Sequence, residues 1–130
     1  MTKISINLLN YSTPWEEIKN CLEHVLSQDF DDFEVYYMEN ALPGKNNHVN
    51  EVKAEFGNNE RLKVFDNRGN LGYAGGHNKF FKNTNSELLM VLNPDALLEP
   101  TFVSEIVKVF ENPLVGATTG KMLKPGKTEK

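Results

Sequence analysis

The sequence predicts an α/β fold, with a mainly parallel sheet of four to five strands and helices on both faces. Three observations carry that expectation. Short apolar runs alternate with stretches of helical periodicity along the chain. One of the runs, Leu88–Leu92 (LLMVL), is apolar at every position, as in a parallel strand covered on both sides. The resulting order, strand and helix in alternation, needs right-handed crossovers, and these put helices on both faces.

Each element has a local reason. Ile4–Asn10 (ISINLLN) reads as a strand, broken by Tyr11, Ser12 and Thr13. Pro14 suits the first turn of a helix, where its missing N–H costs nothing, and Thr13 is the expected N-cap. Glu16 and Glu17 then meet the positive end of the helix dipole. Trp15, Ile18, Leu22, Val25 and Leu26 recur every three to four residues, so an amphipathic helix runs to about Gln28. Trp15 and the single cysteine, Cys21, read as packing residues on that helix.

Residues 33–38 (FEVYYM) form a second strand, and residues 41–47 (ALPGKNN) a loop by their Pro, Gly and Asn content. Val49–Phe56 is a weaker helix ending near Gly57. Residues 62–65 are a third strand. A polar, glycine-rich segment follows, then a helix from near Ala74 to Lys82. Leu88–Leu92 is the fourth strand, and residues 101–110 form a helix with Phe102, Val103, Ile106, Val107 and Phe110 inward. Residues 115–119 are the candidate fifth strand.

The 130 residues make one domain the expectation. Residues 1–123 are assigned to it, and 124–130 to a flexible basic tail. A net charge of −4 argues against a nucleic-acid binder. No apolar run approaches the ~20 residues that span a bilayer. No signal peptide is visible, so a cytoplasmic location is the default, the inner face of the membrane included. A lone cysteine forms neither an internal disulfide nor a cysteine metal cluster.

In such a sheet ligands bind beyond the carboxyl ends of the strands, where strand order reverses. The residues there are unusually polar: Asn10 to Ser12, Glu39 and Asn40, residues 66–76, and Asn93 to Asp95. Carboxylates after the second and fourth strands, Glu39 and Asp95, are expected to face one cleft. A hard cation such as Mg²⁺ or Mn²⁺ needs only one or two protein carboxylates when substrate phosphates complete its shell. Asn93-Pro94-Asp95 taken alone favours a plain turn or helix cap, since all three are common turn residues.

The segment NRGNLGYAGGHN, residues 67–78, holds four glycines and opens a helix. Glycine allows close backbone approach to a ligand, and a helix start offers free N–H groups. It has no Gly-x-Gly-x-x-Gly register, and GATTGK at 116–121 has the wrong spacing for a Walker loop. The acidic pair of a receiver domain is also missing after the first strand, where Asn10 and Tyr11 stand. His77 reads as a surface or capping residue, and His24 and His48 lack metal-ligand companions.

Four pieces occur in order: ISINLLNY, SQDFDDFEVYYMEN, DNRGNLGYAGGHN and LLMVLNPDALLEP. With them, residues 3–123 resemble the nucleotide-sugar-binding half of inverting family-2 glycosyltransferases of GT-A type, in their rhamnosyltransferase-like branch. The resemblance implies a Rossmann-like half-domain that binds a UDP- or dTDP-sugar for transfer to a glycan or other hydroxyl acceptor. It implies that Tyr11 and the backbone around Leu9 and Asn10 line the base pocket. Glu39, where the family usually has Asp, would accept hydrogen bonds from base or ribose, and Asn70 and Gly72 would pack beside the nucleotide. Asn93-Pro94-Asp95 matches the family's Asp-x-Asp-type motif, with Asp95 the ligand of Mg²⁺ or Mn²⁺ and Asn93 a ribose or water contact.

An inverting transferase also needs a general base for the acceptor hydroxyl. In the family that acid lies further along, and Glu99, Glu105 and Glu111 do not match it. No catalytic residue is therefore assigned, and the chain is expected to be incomplete as an enzyme on its own. The contrasting expectation is a non-enzymatic α/β module for association or regulation. A sheet without later strands would leave an edge or apolar face open, which predicts a dimer or larger species.

Overall fold

In a computed structural model describing residues 1–124, the chain folds as four parallel strands and four helices. They are β1 (Ile4–Asn10), α1 (Trp15–Leu26), β2 (Phe33–Glu39), α2 (Val49–Phe56), β3 (Leu62–Asp66), α3 (Gly72–Asn83), β4 (Leu88–Leu92) and α4 (Phe102–Val109). Strand order is β3-β2-β1-β4, with every pairing parallel. The chain therefore winds outward from β1 to β3 and then returns to the other side of β1 for β4. Strand order reverses between β1 and β4.

The pleat sends alternate residues to opposite faces. Ile4, Ile6 and Leu8 of β1 join Val35 and Tyr37 of β2 in the larger core. Ile18, Cys21, Leu22 and Val25 of α1, Val49 and Val52 of α2, and Val103 of α4 pack on that side. On the other face Leu9, Tyr36 and Met38 meet Phe80 of α3 in a second, smaller cluster. Gly76 lets α3 approach this face closely: a Cβ there would lie 2.5 Å from Leu9 Cδ1 and 3.1 Å from Asn40 Nδ2.

Several expectations change. Pro14, not Thr13, is the N-cap of α1, and its carbonyl accepts from the N–H groups of Glu17 and Ile18. Thr13 is drawn away because its N–H donates to Asn10 Oδ1 (3.0 Å). Residues 115–119 form no strand, and the Val115 N–H closes a turn on Asn112 instead. Only Val103 of α4 is fully buried, while Phe102, Ile106, Val107 and Phe110 are half-buried. His77 is buried within α3 rather than at the surface. The expected basic tail lies almost wholly outside the described residues.

β4 departs from its own sequence pattern. As an edge strand it packs Leu88, Met90 and Leu92 against the larger core. Leu89 and Val91, on the α3 side, stay 47% and 46% exposed, because α3 covers β1 and β2 but does not reach β4. Gln28 bridges the opposite side of the molecule. Its Oε1 accepts from the Val103 N–H at the start of α4 (2.9 Å), and its Nε2 donates to the Glu99 carbonyl (2.8 Å).

Candidate functional site

The polar strand ends gather at the carboxyl edge of the sheet. Successive backbone bonds tie them together: Asn40 N–H to the Asn10 carbonyl (2.8 Å) and Asn67 N–H to the Glu39 carbonyl (2.9 Å). Two side-chain networks then knit the edge. In the first, Asn40 Nδ2 donates to the Gly72 carbonyl (3.0 Å), Asn67 Nδ2 donates to Asn40 Oδ1 (2.8 Å), and Lys79 Nζ donates to Asn67 Oδ1 (2.6 Å). This chain fixes the glycine-rich segment and the start of α3 against β2 and β3. Asn40 and Asn67 stood among the polar strand ends singled out in the sequence but were given no role there, and Lys79 was not expected at the site. Asn70 Oδ1 accepts from the Gly72 N–H (2.8 Å), and Arg68 (φ 53°) and Gly72 (φ 77°) turn the backbone into α3.

The second network surrounds Glu39. Glu39, which the resemblance makes an acceptor for base or ribose, is a fully buried carboxylate here. It is engaged by the Tyr37 hydroxyl, Asn10 Nδ2 and the backbone N–H groups of Ala41 and His48. The side chain is long enough to turn back into the protein, so Glu39 and Asp95 do not share a cleft. Burial, and then the Glu39 carboxylate beside it, push the Tyr37 phenol well above its usual range, which keeps it a hydroxyl donor. Leu9 is also committed to packing, against Tyr36, Met38 and Phe80.

Two turns flank the point where strand order reverses. Beyond β1, Tyr11 is 53% exposed and Ser12 has φ 64°. Beyond β4, the Ala96 N–H bonds the Asn93 carbonyl (3.0 Å), which makes Asn93-Pro94-Asp95-Ala96 a hydrogen-bonded turn with Pro in its favoured second place. Both sequence readings of Asn-Pro-Asp thus meet here: it is a turn, and it presents Asn93 and Asp95 to solvent. The Asp95 carboxylate makes no hydrogen bond or ion pair among the described residues. The turn rests on α1, where Cys21 Sγ lies 3.7 Å from the Asn93 carbonyl. Burial first, and the Asp95 charge second, push the Cys21 thiol up to about 12.

No group of three or more His, Cys, Asp or Glu is placed to hold a metal among the described residues. Asp95 and the Asn93 amide nevertheless offer oxygen donors on one turn. That fits a hydrated hard cation completed by phosphates, and does not fit an all-protein metal cage. A concavity of about 620 Å³ lies at the opposite end of the strands and is lined by Asp31, Asp32, Glu34, Glu60 and Arg61 among others. It is distant from the turns just described and holds no part of this site.

The glycosyl transferase family 2 model matches residues 5–129. The chain belongs to that family. Its fold is that of the GT-A glycosyltransferases, as solved structures show. A mannosyltransferase from Pyrobaculum calidifontis, PcManGT, in complex with GDP-Man and Mn²⁺, superposes with a TM-score of 0.76 at 16% identity, over 88% of this chain and 34% of that one. TarS 1-349 of S. aureus in complex with UDP-GlcNAc gives 0.71 at 19% identity, over 84% and 31%. The chain thus spans about a third of the length of these solved proteins. No curated protein matches it. No helix among the described residues is long and apolar enough to cross a membrane.

Proposed function

We propose that this family-2 domain binds a nucleoside-diphosphate sugar in the crevice between the carboxyl ends of β1 and β4. The observation that carries the reading is the Asp95 carboxylate, exposed and unpaired on a tight turn at the point where strand order reverses, across from the exposed Tyr11. In this reading Asp95 holds Mg²⁺ or Mn²⁺, Asn93 contacts ribose or a metal-bound water, and the cation offsets charge on the diphosphate. Tyr11, the Leu9 and Asn10 backbone, Asn70 and Gly72 line the nucleotide. The two solved relatives carry GDP-Man with Mn²⁺ and UDP-GlcNAc, which supports a nucleotide-sugar donor without choosing the base. A dTDP- or UDP-linked sugar of the rhamnosyl type is the donor proposed from the sequence motifs. No general base is assigned among the described residues. Transfer to a glycan or other hydroxyl acceptor is therefore proposed to need further residues on the acceptor side.

Isothermal titration of UDP, dTDP and GDP, with and without Mn²⁺, tests this. Binding is expected to strengthen with Mn²⁺ and to be lost in Asp95→Ala. Absence of binding by the folded wild type at millimolar nucleotide would falsify it.

The exposed Leu89 and Val91 favour a second reading, association of copies through β4. It predicts an oligomer indifferent to nucleotide and to Asp95→Ala. The nucleotide titration separates the two, since only the donor reading expects binding that Asp95→Ala abolishes, and sedimentation of Leu89→Lys checks whether β4 is the contact.

A further inference from the structure

Glu39 closes β2 with no exposed surface. Its Oε1 accepts from the Tyr37 hydroxyl (2.6 Å) and the His48 N–H (2.6 Å). Its Oε2 accepts from Asn10 Nδ2 (2.7 Å) and the Ala41 N–H (3.2 Å). Three of these are N–H groups that can only donate, and a carboxylate has about four lone-pair sites. No acceptor capacity is left for a ligand. No Lys or Arg pairs with Glu39 among the described residues, so the charge is stabilised by oriented dipoles alone.

The donors come from separate stretches of chain. Asn10 ends β1, Ala41 opens the loop after β2, and His48 is the N-cap of α2. Those stretches also bond one another. Asn10 Nδ2 donates to the Asn46 carbonyl (2.9 Å), Asn46 Nδ2 to the Ser12 carbonyl (3.0 Å), and His48 Nε2 lies 2.7 Å from the Thr13 carbonyl. The turn at 10–13 and the loop at 41–48 therefore form one hydrogen-bonded body with Glu39 at its centre, and Tyr11 is mounted on it.

We propose that Glu39 is a positioning residue, which locks the Tyr11 turn to the 41–48 loop and shapes the nucleotide-facing wall without touching the ligand. The inference rests on the donor-binding reading and deepens it. Base recognition then falls to Tyr11 and to backbone groups of the turn, and no β2 carboxylate meets the N–H edge of the base. Removing the charge is expected to weaken every nucleotide by the same factor, whereas loss of a direct base contact would weaken some far more than others.

The test uses the wild type, Glu39→Gln and Glu39→Asp, each checked for fold by circular dichroism. In the unliganded protein, amide hydrogen exchange at Ala41 and His48 should quicken by about tenfold or more in Glu39→Gln, while Ile6 and Val35 in the sheet stay unchanged. UDP and GDP, titrated with Mn²⁺, should then lose affinity by equal factors of about ten. Glu39→Asp, which keeps the charge but shortens the reach, should recover part of both effects.

Unchanged exchange at Ala41 and His48 overturns the inference, as does a UDP-to-GDP affinity ratio that moves several-fold. Quickened exchange at Ala41 and His48 with intact nucleotide affinity would also overturn it, since Glu39 would then be purely structural. If the wild type binds neither nucleotide, the donor-binding reading fails and takes the ligand part of this inference with it, while the exchange data still decide whether Glu39 holds the two segments. Should Glu39→Gln not fold, Tyr37→Phe removes one of the four donors without altering charge, and the same two measurements apply with smaller effects.

Discussion

Asn7 Nδ2 and His77 Nδ1 lie 2.9 Å apart, joining the centre of β1 to α3 in a buried polar pair. Asn7 donates, so the imidazole is held neutral with its proton on Nε2. The ring also packs edge-on against Tyr73, with centroids 4.4 Å apart. Burial lowers the affinity of His77 for a second proton below its ordinary value of 6.5. The sign follows from linkage: between the lowered folded value and 6.5 the unfolded chain binds more protons, so stability falls as the medium is acidified through 6.5. Urea midpoints across this range should drop on the acid side in the wild type. His77→Asn should be less stable throughout but should lose that part of the slope.

Gln28 caps α4 from a distance, so its loss should exceed that of an ordinary surface glutamine. Gln28→Ala leaves the buried Val103 N–H without its acceptor. An unsatisfied buried donor costs about 1–3 kcal/mol. Chemical denaturation should register a loss of that size. Gln28→Glu, which keeps an acceptor for Val103 but no donor for the Glu99 carbonyl, should lose less.

The glycines of the 67–78 segment should separate into two kinds. At Gly72 a Cβ would meet nothing within 4 Å, and only the positive φ of 77° opposes a side chain. Gly72→Ala is expected to cost about 1–2 kcal/mol through backbone strain alone. At Gly76 the Cβ would enter Leu9 and Asn40, adding overpacking of about 1–3 kcal/mol. It should also disturb the Asn40 bond to Gly72. Thermal melts rank the pair, and nucleotide titration should show the Gly76→Ala protein as the weaker binder.

Cys21 should report on the integrity of the Asp95 turn. Its thiol is fully buried and pushed up to about 12, so the thiolate that reacts is scarce at neutral pH. Alkylation of the native protein should be slow and should accelerate with unfolding. In Asp95→Asn the second of the two causes disappears, and the alkaline midpoint of the labelling rate should move down while burial keeps it above that of a free thiol.

Most of the element pattern was legible because it depends on local periodicity. The strands at Ile4–Asn10 and Leu88–Leu92 and the helix at Val49–Phe56 occur as read. What escaped depends on partners distant in sequence. An all-apolar strand reads as covered on both faces, yet coverage of Leu89 and Val91 is set by the reach of α3, which β4's own letters do not record. Residues 115–119 have strand-like composition, but composition does not supply a neighbour to pair with. His77 looked exposed because its partner, Asn7, is seventy positions away. At the site, the polar strand ends were visible as a class, and Asp95 among them is exposed and unpaired. The inward turn of Glu39 was not visible, since it requires donors from β1, β2 and the 41–48 loop to converge on one side chain.

The strand order also has a consequence for how the chain is made. β1 is the third strand of the sheet in space but the first in synthesis, and its far neighbour is the last: Ile4 pairs with Leu88. At translation rates of about 5–20 residues per second, roughly 4 to 17 seconds separate those two residues at the ribosome. During that interval β1 can pair with β2 but keeps its other edge bare, and its core-facing residues wait for α4. Such long-range parallel pairing is intrinsically slow. The Asp95 turn, being carried by β4, is therefore among the last features to take shape as the chain emerges. A chain released before β4 would have much of the Glu39 network in place and nowhere to put a cation.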